Sequence, residues 1–121
     1  MTKYKDGLYN VALGLPVLNF KGLGPIRLIY SRHAQQAALN DRYGHINLPT
    51  VLNPMHAELI EVEMSGGAPV KAVFRLPLDD RRDICLVVLP SGLVKTVWVN
   101  LASDAHKTLD ASKYVSLRKA A

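Results

Sequence analysis

The chain has 121 residues, of which 49% are apolar and 21% charged, with a formal net charge of +5 and one cysteine. That length and apolar content suit one domain that buries its own core, and they exclude a disordered tail. One cysteine excludes an internal disulfide framework, no apolar run approaches membrane-spanning length, and the polar start is unlike a signal peptide, so a soluble, cytoplasmic protein is expected with no membrane partner.

Residues 1–24 read as an irregular or short-strand lead-in. The apolar stretch from Leu8 is broken by Asn10, Gly14 and Pro16, which rule out a long helix. Residues 25–30 are β-branched and aromatic and predict a short strand. Ser31 then precedes a run rich in alanine and glutamine, so a helix is expected with Ser31 as its N-cap and Gly44 as its stop. Residues 45–56 hold Pro49 and Pro54 and read as a loop.

Four strands are expected next, over residues 57–64, 70–76, 84–89 and 93–100. In the second, Val70, Ala72, Phe74 and Leu76 alternate with Lys71, Val73 and Arg75, the pattern of a half-buried strand. The third, Ile84-Cys85-Leu86-Val87-Val88-Leu89, is apolar on both faces and should be central, which makes Cys85 a small buried hydrophobe. The fourth would place Val94, Thr96, Trp98 and Asn100 on one face. Short turns between successive strands make an antiparallel meander the economical topology. In the tail, residues 103–110 suit a turn or short helix and residues 114–117 a final edge strand. The expected fold is α+β: a short strand and helix (25–44) packed on a four-stranded antiparallel meander (57–100), with a C-terminal tail over 101–121.

The run Ile29-Tyr30-Ser31-Arg32-His33-Ala34, the helix leading to Asp41-Arg42-Tyr43-Gly44, and the later Leu93-Val94-Lys95-Thr96-Val97-Trp98 together resemble a known pattern. It is that of small domains related to the barnase–EndoU–colicin–RelE superfamily of metal-independent ribonucleases and toxins, and of small phage proteins. The resemblance covers residues 26–100 in order of elements and rests on the two short motifs. It implies a RelE-like fold, an RNA-cleaving or RNA-binding toxin-like activity without a cofactor, and an antitoxin or host protein as a further partner. The chain departs from the pattern where Gln35, Gln36, Ala37 and Ala38 stand in place of helix arginines, leaving Arg42.

Metal-independent RNA cleavage needs a base for the ribose 2′-hydroxyl, an acid for the leaving oxygen, and cations on the phosphate. Histidine suits either proton role, and arginine binds two phosphate oxygens at once. The candidate catalytic residues are His33, Arg75 and His106. The candidate substrate-binding residues are Arg32, Arg42, Thr96, Trp98, Asn100 and Lys107, with Trp98 as a base-stacking platform. Each has a structural alternative: Trp98 as core, Thr96 as a strand former, His106 and Lys107 as solvated loop residues. The four histidines have no metal-ligand spacing, and no phosphate-binding glycine loop or nucleophile elbow is present, so neither metal nor cofactor is expected. Two readings without catalysis stand beside the first. One is a non-enzymatic protein-interaction module, of the kind a phage encodes, directed at a host protein. The other is a homo-oligomeric structural module in which the apolar lead-in covers a second copy.

Overall fold

In the computed structural model, the residues described are 4–16, 25–41, 43, 46–103 and 111–116. The expected meander forms the centre of the molecule. Its strands are β5 (Glu58–Ser65), β6 (Ala68–Pro77), β7 (Arg82–Val88) and β8 (Leu93–Leu101), each antiparallel to the next. Earlier in the chain come β1 (Gly7–Asn10), β2 (Ile26–Arg27), β3 (Ile29–Tyr30), helix α1 (Arg32–Leu39) and β4 (Val51–Leu52).

The sheet is wider than the four strands expected. It has six, in the order β1-β5-β6-β7-β8-β3, and it is mixed. The lead-in supplies β1, antiparallel to β5, and the strand before the helix supplies β3, parallel to β8. Both additions are short and lie at the edges, where pairing depends on tertiary neighbours more than on local pattern. Residues 25–30 do not form one strand. At Leu28 the chain changes partner: its N–H donates to the Thr50 carbonyl at 2.9 Å, β2 pairs with β4, and β3 pairs with β8. The segment expected as a loop therefore contains β4 and, after it, a single 3-10 turn over Pro54–His56. The tail reaches the β1 edge through one bridge, Leu8 to Tyr114, and Val115 N–H donates to the Leu8 carbonyl at 2.8 Å.

Ser31 caps α1 as expected, its Oγ accepting from Ala34 N–H at 3.0 Å. The helix ends sooner than expected, at Leu39 with Asn40 as its cap. Asp41 then turns to the sheet, and its carboxylate accepts from Val99 N–H at 3.0 Å and from Tyr43 N–H at 2.9 Å. That contact covers β8 where β3 no longer pairs with it, leaving one fewer exposed edge donor.

The main core lies between α1 and one face of the sheet. α1 packs on β8, and its Ala34 and Ala38 belong to one buried cluster with Val62, Phe74, Ile84, Leu86, Val88, Val94, Val97 and Val99 of the sheet and with Leu28, Ile46 and Leu52. Each fully buried aliphatic side chain of this kind contributes about 1.5–3 kcal/mol. β7 is central as expected: Ile84 and Leu86 are buried on the helix side and Cys85 on the other. The second face carries a smaller cluster of Ile60, Val73 and Cys85, with Val87 and Trp98 partly buried against it.

Three register shifts decide which side chains share a face. Ile60 is extra in β5, Val70 in β6 and Lys95 in β8. A bulge of this kind inserts one unpaired residue and reverses the alternation beyond it. Thus Val94 lies in the main core while Thr96, opposite Val87, lies on the second face with Trp98. The expectation that Val94 shares a face with Thr96, Trp98 and Asn100 is corrected by the bulge at Lys95.

Candidate functional site

The second face of the sheet and the start of α1 meet at the Lys95 bulge. The bulge turns the Lys95 carbonyl to the helix, where it accepts from Ser31 Oγ at 2.9 Å. Ser31 N–H donates to the Val94 carbonyl at 3.0 Å. Ser31 thus caps the helix and fastens it to β8 at once. His33, two residues on, is exposed beside the sheet.

His33, Lys71, Val87, Lys95 and Thr96 line a shallow depression of about 320 Å³. The helix, β6, β7 and β8 each contribute to it. Lys95 is exposed, and Lys71 is half-exposed with its ammonium 3.5 Å from Glu63 Oε1. No motif in the sequence marks Lys71 or Lys95 as part of a site. Lys71 carries an alternation signal that puts it on the polar face of β6, but the bulge that aims Lys95 has no clear sequence mark. The walls therefore combine two ammonium groups, an imidazole and a hydroxyl. Such a set can bind an anion, with histidine able to donate or accept a proton and Thr96 able to hydrogen-bond an oxygen.

Of the expected site residues, His33 and Thr96 are brought together here. Trp98 lies two residues along the same face of β8, about 6–7 Å away at the rise of a strand, and is half-buried. Arg32 is exposed at the first position of the helix. Asn100 is farther down the same face and is buried, its Nδ2 donating to Cys85 Sγ at 3.9 Å. His106, Lys107 and Arg42 lie outside the described residues.

Arg75 is on the second face but is engaged structurally. It is 7% exposed. Its Nε donates to Asp83 Oδ2 at 2.7 Å, and its Nη2 donates to the Leu101 carbonyl at 3.1 Å. One guanidinium therefore ties β6, β7 and β8 together, and it sits four residues along β6 from Lys71, about 13 Å at strand rise. Its fork is spent on a carboxylate and a carbonyl, which accounts for the paired, buried state of a charge that would otherwise be costly to bury.

The charged turn between β6 and β7 is ordered by its own residues. Asp79 accepts from Arg81 N–H, Arg82 N–H and Arg82 Nε at 2.7–2.9 Å, and Arg82 Nη1 donates to the Tyr43 carbonyl. The Arg82 hydrogen bond, aided by the turn's backbone donors, holds the exposed Asp79 carboxyl below its ordinary range. Among the described residues, no three His, Cys, Asp or Glu side chains gather as metal ligands, and no helix is long and apolar enough to cross a membrane.

No family model, curated protein or solved structure matches the chain.

Proposed function

We propose that this chain is a toxin-like, RNA-binding domain of the RelE kind. Its RNA contacts lie on the second sheet face at the start of α1, and His33 is the group on which any metal-independent cleavage would turn. The observation that carries the reading is the convergence of His33, Lys71, Lys95 and Thr96 on one depression, with Trp98 next along β8. The net charge of +5 is in keeping with a polyanionic partner. The order of helix and then antiparallel meander agrees with the motifs that prompted the resemblance.

The test is incubation of purified protein with labelled RNA in EDTA, read for both binding and cleavage. Lys71→Met/Lys95→Met should weaken binding about tenfold or more, because each removed ammonium ends a phosphate contact. His33→Ala should abolish cleavage and weaken binding less. Unchanged binding by a folded double-lysine variant rules out this surface.

A second reading, a protein-interaction module for an antitoxin or host protein, draws on Arg75. Its fork is held by Asp83 and the Leu101 carbonyl, so the site lacks that guanidinium as a phosphate clamp. RNA binding without cleavage by parent or variant would leave a binding function alone. Absence of both, with a stoichiometric protein recovered on the folded domain, would favour the second reading.

A further inference from the structure

The second sheet face is divided by charge. Lys95 and His33 stand at the β8 and α1 side, with Lys71 on β6. On β5, Glu58, Glu61 and Glu63 lie opposite Arg75, Val73 and Lys71, which places all three carboxylates on this same face. Glu61 accepts from Tyr114 Oη at 2.6 Å, and Glu63 approaches Lys71 at 3.5 Å. β5 is three strands from β8, about 14 Å at ordinary strand spacing. Farther along β7, the face ends in the Arg75–Asp83 pair.

We infer that the depression takes a short, single-stranded stretch of RNA that runs along β8, with two or three phosphates in contact, and that the β5 carboxylates stop the strand from crossing the sheet. This rests on the RNA-binding reading above. A phosphate at the depression is held by Lys71 and Lys95. The neighbouring nucleotide, following β8, meets Trp98, whose exposed part can stack on a base only when that base is unstacked from its own helix. A strand turned across the sheet brings its next phosphates over Glu58, Glu61 and Glu63. A phosphate carried over these carboxylates comes within one Debye length of them, about 8 Å at physiological salt, so the repulsion is not screened away. A duplex is disfavoured on both counts: its bases are stacked, and its two phosphate rows extend beyond the basic corner.

The experiment is fluorescence anisotropy with labelled RNA of four nucleotides, twelve nucleotides, and a twelve-base-pair duplex, titrated over a salt series. Two or three single-strand contacts, at about 0.7 per phosphate, give a slope of log K against log salt between about −1.4 and −2.1. The four- and twelve-nucleotide RNAs should share that slope, and the duplex should bind more weakly. Glu58→Gln/Glu61→Gln, which keeps the Lys71–Glu63 pair and is checked for folding by circular dichroism, should steepen the slope for the twelve-nucleotide RNA and leave the four-nucleotide slope unchanged. A steeper slope for the longer RNA on the parent protein, or duplex binding equal to single-strand binding, overturns the short footprint while leaving RNA binding intact. Binding of none of the three overturns the RNA reading itself.

Discussion

The hydroxyl of Ser31 donates to the carbonyl oxygen of Lys95 at 2.9 Å while accepting from the Ala34 N–H at 3.0 Å. The helix start and the β8 bulge are therefore one unit, and His33 and Lys95 hold their relative positions through it. Ser31→Ala should cost about 1–2 kcal/mol, the sum of a lost N-cap and a lost hydrogen bond. Urea unfolding measures this directly. Ser31→Thr retains the hydroxyl and should recover most of the loss, whereas equal losses in both variants would show that the hydroxyl is not the strut.

Gly92 occupies the turn between β7 and β8 with φ of +94°, and a Cβ there would lie 2.2 Å from the Arg27 carbonyl oxygen. Neither the backbone conformation nor the space admits a side chain. Gly92→Ala should destabilise the protein by about 2–3 kcal/mol, because strain and overlap add. Gly66, at φ +62° with open space around it, provides the control: Gly66→Asn should cost well under about 1 kcal/mol. Thermal unfolding of the two variants distinguishes them.

Arg75 and Asp83 form a pair in which each side chain is largely buried. Removing Arg75 leaves the carboxylate without its partner and releases the Leu101 carbonyl. Arg75→Ala should cost about 3 kcal/mol or more. In a double-mutant cycle, Arg75→Ala/Asp83→Ala should cost clearly less than the two single changes summed. Additive losses would show that the two groups are not coupled. On the RNA-binding proposal, any loss of binding in Arg75→Ala should follow its loss of folded protein and be restored at a temperature where the variant is folded.

Tyr30 donates its hydroxyl to the Pro49 carbonyl at 2.5 Å, and burial pushes its phenol from 10.0 up to about 12. Between those two values the unfolded chain has released the proton that the folded protein still holds. The stability associated with the buried phenol is complete below pH 10 and is lost as pH rises from 10 through about 12. Tyr30→Phe should be less stable than the parent near neutral pH and should lose less stability across that alkaline window. Parallel alkaline slopes in the two proteins would overturn the assignment.

The meander was legible because each strand carries its own signal. Alternation marks β6, two-sided apolarity marks β7, and glycine or charged turns separate the strands. Ser31 was legible as a cap for the same local reason. The outer strands were not. β1 is four residues long and β3 two, too short for a period to emerge, and each exists because a neighbouring strand offers hydrogen bonds. Asp41 gives no local hint that its carboxylate will cover Val99, 58 residues later.

The candidate site divides in the same way. Residue types able to handle a phosphate and a proton are present in the sequence, and His33 and Thr96 are legible in it as candidates. Whether they meet depended on the Lys95 bulge, which moves Thr96 to the second face and turns the Lys95 carbonyl to Ser31. Arg75 shows the opposite outcome: its place on the polar face of β6 followed from alternation, but its ion pair with Asp83 required two strands in register. Local pattern sufficed for the central strands, the helix and its cap, since alternation, turn residues and capping are read from residues close in the chain. Tertiary structure alone decided the edges of the sheet, the faces beyond each bulge and the partners of the charges, because those depend on distant backbone groups being brought into hydrogen-bonding reach.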